Sequence, residues 1–244
     1  MSPPARSTDF AGVLFDKDGT LIDFHLTWGP AVHAMIRALA GGDPALMKAQ
    51  AEALHFSIED RRFLSSSPLV AGSTADYGRR WAEALGRTDF EVLKAEIDAL
   101  SAAESLKALT PIAEPPAVFA ALAAIGLRIG VATNDSERSA RRQIEALGVG
   151  AYVDFVAGYD SGHGGKPDPG MVLAFAAFLG TPATRVVMVG DSLHDLEAAR
   201  TAGAVAVAVL SGPADRAALE PHADFVIEHI GDLPGLLSRL QGAQ

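Results

Sequence analysis

The stretch Phe15-Asp16-Lys17-Asp18-Gly19-Thr20 follows a short apolar run, Gly12-Val13-Leu14, which predicts a buried β-strand. Side chains alternate along an extended chain, so we expect Asp16 and Asp18 to project to the same side. The glycine and threonine that follow favour a sharp turn. Two like charges held together are costly unless a cation offsets them. The pair therefore predicts a reactive, cation-binding site in which one carboxylate attacks and the other handles a proton.

The same alternation predicts that Lys17, between the two aspartates, points away from both of them. A structural or surface role is expected for this lysine.

The composition of the 244-residue chain indicates a folded protein with a sizeable buried core, because 49% of its residues are hydrophobic and only 20% are charged. A formal net charge of -10 opposes a nucleic-acid partner, which needs a basic surface. The absence of cysteine excludes disulfides, thiolate metal sites and cysteine nucleophiles. Met1–Thr8 lacks the apolar stretch of a signal peptide, and the longest apolar region, Ala117–Ala132, is too broken to span a membrane. We expect a cytoplasmic protein without a membrane partner.

The fold class follows from the order of apolar runs. Four runs read as strands (Val13–Phe15, Arg128–Ala132, Val186–Val189 and Val205–Val209), with weaker candidates at Phe155-Val156 and Phe225–Ile227. From residue 115 onward these runs alternate with helical patterns. Such alternation predicts an α/β fold with a doubly wound parallel sheet, whose ligands bind beyond the carboxyl ends of the strands.

Residues 25–110 break this alternation, because they contain four helical patterns and no convincing strand. A gap of this length between two strands predicts an inserted α-helical domain. The predicted organisation is therefore a core of residues 1–24 and 111–244 with a helical cap domain of residues 25–110.

Two further segments bring polar groups to the expected strand ends. Thr133 and Asn134 follow the second strand, where a hydroxyl and the amides entering a helix can hold a phosphoryl group, although such residues are also ordinary helix caps. The loop Gly164-Gly165-Lys166-Pro167-Asp168-Pro169 presents one lysine, suited to offset a carboxylate cluster. A solvated surface lysine is the alternative interpretation of that residue.

The fourth segment places Asp191 after a strand and Asp195 one turn into the next helix, on the same side of the helix start. Magnesium favours oxygen ligands and keeps several waters, so a few carboxylates and a substrate phosphate suffice to hold it. Each aspartate alone could be a helix cap or a surface charge. Together with Asp16 and Asp18 they predict a Mg²⁺ site.

These segments, FDKDGT, VATN, GKP and GDSLHD, resemble in their order the four motifs of the haloacid dehalogenase-like hydrolase superfamily. The resemblance covers nearly the whole chain, with a helical cap inserted after the first motif, and is greatest to the phosphoglycolate phosphatase-like branch. It implies a Rossmann-like core and a phosphatase acting on a small phosphorylated metabolite, such as phosphoglycolate or a sugar phosphate.

The resemblance also implies a role for each matched residue. Asp16 would be the nucleophile that forms an aspartyl-phosphate, and Asp18 the general acid and base. Thr133, with Asn134, would bind the phosphoryl group, and Lys166 would orient Asp16. The metal ligands would be Asp16, the backbone carbonyl of Asp18 and Asp191. Asp195 would lie next to these ligands without binding the ion directly.

The alternatives to a phosphatase differ in the residues that each of them requires. Halide displacement is disfavoured because that branch lacks an aspartate at the position of Asp18. Phosphonate cleavage needs a reactive cap lysine, and Lys48, Lys94 and Lys107 lie in ordinary helical patterns. A sugar-phosphate mutase shares both aspartates, and a catalytically silent binding protein could share the fold.

The cap is expected to select the substrate. Ser57–Phe63 is the predicted substrate-facing loop, in which Arg61 or Arg62 could pair with a substrate carboxylate. The linker around Ala113 departs from relatives, which commonly turn there with a glycine. A monomer and a homodimer both fit the sequence.

Overall fold

The computed structural model describes residues 9–64, 66–70 and 72–242, so the segment Met1–Thr8, considered above for a signal peptide, lies outside it. The strands of this part of the chain are β1 (Gly12–Phe15), β2 (Phe56–Ser57), β3 (Arg62–Phe63), β4 (Arg128–Ala132), β5 (Val153–Ala157), β6 (Val186–Gly190), β7 (Val205–Val209) and β8 (Phe225–Ile227). Six of them form one parallel sheet in the order β5-β4-β1-β6-β7-β8. The predicted α/β class with a parallel sheet is confirmed.

Helices cover both faces of this sheet, as a doubly wound fold requires. The core helices are α5 (Pro115–Ala124), α6 (Glu137–Ala146), α7 (Gly170–Phe178), α8 (Leu193–Ala202), α9 (Arg216–Leu219) and α10 (Leu233–Gly242). Alternation along β1 distributes the packing: Val13 and Phe15 join one hydrophobic cluster with α5, α6 and α10, and Leu14 joins another with α7, α8 and α9. Strand β1 is therefore buried on both faces at the centre of the sheet.

Residues 24–108 contain the helices α1 (Phe24–Leu39), α2 (Pro44–Leu54), α3 (Thr74–Ala84) and α4 (Phe90–Glu104), followed by a short 3₁₀ turn. They bury a third hydrophobic cluster that includes Trp81, Leu93 and Ile97. The sequence indicated no strand here, but β2 and β3 pair as a small antiparallel hairpin. With only two residues each, these strands are too short to give a period-2 pattern.

Two chain segments connect this helical region to the core and lie side by side. The amide of Asp23 donates to the carbonyl of Thr110 (2.8 Å), and the amide of Ile112 donates to the carbonyl of Leu21 (2.9 Å). Helix α4 packs on α6. The hydroxyl of Tyr159, in the loop after β5, donates to Asp98 of α4 (2.9 Å). Within the described residues, no helix is long and apolar enough to cross a membrane.

Candidate active site

The predicted site residues meet at the carboxyl edge of the three central strands. Phe15 at the end of β1 pairs in register with Val131 of β4 and Val189 of β6. Because the strands are parallel, the residues that follow them emerge at one edge of the sheet. Asp16, Thr133 and Asp191 each follow one of these strands, and all three line one cavity.

Lys166 reaches this edge from the loop before α7 and is buried there. Its ammonium donates to Asp16 Oδ1 (2.5 Å), to Asp195 Oδ1 (2.6 Å) and to the carbonyl of Ala132 (3.0 Å). These contacts use all three donors of the ammonium group, so its direction is fixed. Burial lowers the pKa of Lys166, but the neighbouring Asp16 and Asp195 outweigh it, and the pKa lies above the ordinary value. The structure thus holds a positively charged ammonium against one oxygen of Asp16.

The carboxylates of Asp16, Asp191 and Asp195 form a buried cluster, with one oxygen of each within 4.8 Å of the others. Burial is the largest cause that raises the pKa of Asp16, to about 7, against the opposing charge of Lys166. Burial also raises the pKa of Asp191 well above its ordinary value, and the charge of Asp16 adds to the rise. Such crowding is relieved when a cation lies between the groups, and the donors are all oxygens, so the cluster fits a hard divalent ion.

Within this cluster Asp195 differs from the other two, because the protein already occupies both of its oxygens. Oδ1 accepts from Lys166, and Oδ2 accepts from the Ser192 amide (3.0 Å) and hydroxyl (2.6 Å), which caps helix α8. Asp16 and Asp191 are therefore the better candidates for direct ligands, and Asp195 holds Lys166 and the helix start.

Two glycines leave room for Asp191. A Cβ at Gly212 would lie 1.8 Å from Asp191 Oδ2, and a Cβ at Gly19 would lie 2.4 Å from the same oxygen. Gly19 also has a φ of 88°, which favours glycine at this turn. The Thr20 hydroxyl donates to Asp191 Oδ1 at 3.3 Å. The loop after β7, which carries Gly212, was not singled out from the sequence, because only the folded chain brings it against Asp191.

The predicted direction of the Lys17 side chain is wrong for Asp18, although its role is structural as expected. Its side chain is fully buried and its ammonium lies 2.7 Å from Asp18 Oδ2 and 3.2 Å from Asp135 Oδ2. Strict alternation applies only within the strand, and β1 ends at Phe15, so the long lysine side chain turns back toward its neighbour. The ammonium also lies 5.2 Å from the centre of the Trp28 ring.

Asp18 is held from three directions. Lys17 donates to it from the core, the Trp28 indole donates to its Oδ1 from helix α1, and the Thr133 hydroxyl donates to its Oδ2 at 3.3 Å. A residue of the helical region thus orients an aspartate of the core. No local sequence pattern indicated this hydrogen bond between Trp28 and Asp18.

Asn134 connects the ends of two strands. Its amide nitrogen donates to the carbonyl of Lys166 (2.9 Å), and its carbonyl oxygen accepts from the amide of Lys166 (2.8 Å). Asn134 also lines the cavity, so the geometry adds a positioning role to its predicted contact with the phosphoryl group.

The cavity above these residues has a volume of about 120 Å³. On the core side it is lined by Asp16, Asp18, Thr133, Asn134, Asp135, Lys166, Asp191, Ser192, His194, Pro213 and Ala214. On the other side it is lined by Phe24, Trp28, Val32, Met35, Phe63, Leu69, Val70, Gly72, Tyr77 and Ser101. Arg61 and Arg62 are exposed on the turn and strand next to Phe63 and are not among the lining residues. The structure does not bring these two arginines to the site.

The family model of the haloacid dehalogenase-like hydrolases matches residues 10–203. A phosphoglycolate phosphatase of Rhodospirillum rubrum is 34% identical over 201 residues, which cover 82% of this chain and 78% of the relative.

Solved structures show the same fold. A predicted phosphoglycolate phosphatase from Haemophilus somnus superposes with a TM-score of 0.70 at 19% identity, covering 93% of this chain and 98% of the other. A proposed β-phosphoglucomutase from Thermotoga maritima superposes with a TM-score of 0.67 at 21% identity, covering 94% of this chain and 99% of the other. With its four motifs gathered at one sheet edge and a family match over most of its length, the chain belongs to the haloacid dehalogenase-like hydrolase family, in its phosphoglycolate phosphatase-like branch.

Proposed function

We propose that this protein is a Mg²⁺-dependent phosphatase that hydrolyses a small phosphomonoester through a phosphorylated Asp16. The observation that carries the proposal is the pairing of Asp16 Oδ1 with the buried ammonium of Lys166, with Asp18 and Thr133 facing the same cavity. The relatives named as phosphatases support the reaction class.

In the first step the free oxygen of Asp16 attacks phosphorus, and the bond from phosphorus to the alcohol oxygen breaks. Asp18 gives its proton to the departing alcohol. In the second step a water attacks the same phosphorus and gives a proton to Asp18, and the bond from phosphorus to Asp16 breaks. Inorganic phosphate is released and both carboxyl groups return to their first state.

Lys166 orients Asp16 throughout and offsets its negative charge next to an anionic substrate. The Thr133 hydroxyl, which contacts Asp18 at 3.3 Å, is placed to donate to a phosphoryl oxygen instead. Lys166 is fixed by the protein before substrate arrives, whereas the Thr133 hydroxyl exchanges its partner Asp18 for the substrate.

The ion would be held by Asp16, Asp191 and the backbone carbonyl of Asp18. When bound, Mg²⁺ neutralises the crowded carboxylates and polarises the phosphoryl group. Asp195 would stay with Lys166 and Ser192, whose hydrogen bonds already use its oxygens.

The two-part organisation is also proposed: residues 1–24 and 111–244 form the catalytic core, and residues 25–110 form a cap over it. The separate hydrophobic cluster of the helical region supports this division. Helix α1 begins at Phe24, one residue before the proposed boundary.

The test compares release of inorganic phosphate from p-nitrophenyl phosphate by the native protein and by Asp16→Asn, with and without Mg²⁺. We expect activity only in the native protein with Mg²⁺, and Asp232→Asn, an exposed aspartate away from the cavity, should behave as native. Acid-quenched native protein should carry one phosphoryl group by mass spectrometry. Equal rates for the native protein and Asp16→Asn would refute the assignment. Transfer to a second sugar phosphate without release of phosphate would indicate a mutase, and no turnover a binding protein.

A further inference from the structure

The cavity has two walls of opposite character. The core wall carries the aspartates and Lys166, and the cap wall is built from side chains such as Trp28, Met35, Phe63, Val70 and Tyr77. In the proposed reaction the phosphoryl group occupies the core wall, so the alcohol part of the substrate faces the cap wall. The chemistry of the cap wall therefore decides which alcohol fits.

No lysine or arginine of the described cap residues lines this cavity. Arg61 and Arg62 are exposed beside it, and the guanidinium of Arg79 stacks on the ring of Phe90. Among the described lining residues the lysine is Lys166, which is already paired with Asp16 and Asp195. His194 also lines the cavity, but on the core wall and not on the cap wall that faces the alcohol. A carboxylate on the substrate would thus be buried without a partner, which is strongly unfavourable.

The polar groups of the cap wall are also engaged within the protein. The Trp28 indole donates to Asp18, and the Tyr77 hydroxyl shares a hydrogen bond with Thr74 (3.1 Å). The Ser101 hydroxyl contacts the Met35 sulfur at 3.7 Å. The hydroxyl groups of a sugar would find few free partners here, and each one buried unpaired costs binding energy.

We infer that the substrate is a phosphate monoester of an uncharged alcohol with an apolar, aromatic-sized body, which packs against Trp28, Phe63 and Tyr77. This inference rests on the proposed phosphatase function and narrows it. It differs from the expectation of a phosphoglycolate-like or sugar-phosphate substrate, because neither a carboxylate nor a set of hydroxyls matches the cap wall. Stacking between an aromatic substrate and the rings of the cap wall adds to the free energy gained by burying apolar surface.

The first experiment measures kcat/KM with Mg²⁺ for benzyl phosphate, ethyl phosphate and phosphoglycolate, each of which is the ester of a primary alcohol group. We expect benzyl phosphate to exceed ethyl phosphate, and to exceed phosphoglycolate by about tenfold or more. A higher kcat/KM for phosphoglycolate than for benzyl phosphate would overturn the inference.

The second experiment introduces a positive charge into the cap wall. Val70→Arg and Leu69→Arg each place a cation at a half-buried lining position, and we expect both to raise kcat/KM for phosphoglycolate and lower it for benzyl phosphate. Two sites are used so that one misfolded variant does not end the test. Arg62→Ala is the control, and its ratio of the two substrates should equal the native ratio. A fall in phosphoglycolate turnover for Arg62→Ala would contradict the inference.

Binding separates this inference from the proposed function. Benzylphosphonate and phosphonoacetate, which are not hydrolysed, are titrated into the Mg²⁺-loaded protein by calorimetry. Tighter binding of benzylphosphonate supports the apolar site even if no ester is turned over, in which case the phosphatase proposal alone is wrong. Tighter binding of phosphonoacetate refutes the apolar site whatever the activity.

Discussion

Replacement of Lys17 by methionine tests whether the buried charge network beside Asp16 stabilises the fold. The lysine side chain is fully buried, and its ammonium lies 2.7 Å from Asp18 and 3.2 Å from Asp135. Methionine has nearly the same length and fills irregular space, so the change removes the charge and leaves little void. What remains is two largely buried carboxylates, Asp18 with 17% and Asp135 with 11% of the side chain exposed, without their cation.

Removing one partner of a buried ion pair costs about 3–5 kcal/mol, because the other charge stays buried and uncompensated. The native free energy of unfolding of a domain is typically about 5–15 kcal/mol, so this is a large part of the total. For a chain of this size about 2–4 °C of melting temperature corresponds to each kcal/mol, which predicts a fall of about 6–20 °C.

Urea unfolding and calorimetry of Lys17→Met measure this loss. The matched control is Lys107→Met, which removes an exposed lysine that contacts Glu104 at 2.6 Å. An exposed pair contributes about 0–1 kcal/mol, so the control should stay close to native. The double variant Lys17→Met/Asp135→Asn should recover about 1–3 kcal/mol relative to Lys17→Met, because it also removes one of the unpaired carboxylates.

If Lys17→Met were as stable as Lys107→Met, the ion pairs around Lys17 would carry no net stabilisation and the reasoning would fail. A double variant less stable than Lys17→Met would equally contradict it, because Asp135 would then stabilise the fold by contacts other than Lys17.

Two further predictions concern the glycine and the asparagine that position the site. Gly212→Ala should displace Asp191, since its Cβ would lie 1.8 Å from a carboxylate oxygen, and we expect Mg²⁺ affinity measured by calorimetry to fall at least about tenfold. Gly235→Ala makes the same chemical change at an exposed position of helix α10, where it should leave Mg²⁺ binding unchanged and raise stability by about 0.5–1 kcal/mol. Asn134→Ala removes both hydrogen bonds to the backbone of Lys166, so kcat should fall about tenfold or more with KM little changed, whereas a rise in KM alone would show that Asn134 acts by binding substrate.

The core of the site could be predicted from sequence because it depends on local rules. Buried apolar runs identify β1, β4 and β6, and parallel strands bring their carboxyl ends to one edge. Asp16, Thr133 and Asp191 therefore had to meet. Lys166 followed from charge, since a carboxylate cluster needs a cation and the loop offered one.

Other features could not be predicted from the sequence. Side-chain alternation holds only within a strand, and some contacts join segments that are distant in sequence. The orientation of Lys17 could not be predicted by alternation, because β1 ends two residues earlier. Its partner Asp135 and the approach of Gly212 to Asp191 belong to other strand ends. No local pattern encodes these distances.

The linker shows a departure that the backbone explains. The resemblance led us to expect a glycine turn in this linker, and Ala113 adopts a φ of 53°, the left-handed region that glycine occupies without strain. The chain thus makes this turn with an alanine at a cost of about 1–2 kcal/mol.

The cap wall is the feature that the motifs could least predict, and its composition has a physical reason. Phe24, Val32, Met35 and Phe63 line the cavity and are also members of the hydrophobic cluster that holds the cap together. In the proposed function each side chain would meet two requirements, packing the cap and receiving the alcohol. A polar substitution at these positions would lose apolar burial in the cap as well as changing the substrate. Trp28, Leu69, Val70 and Tyr77 also line the cavity and pack against the same cluster as half-buried side chains. An apolar cap core and an apolar cavity wall therefore occur together in this chain.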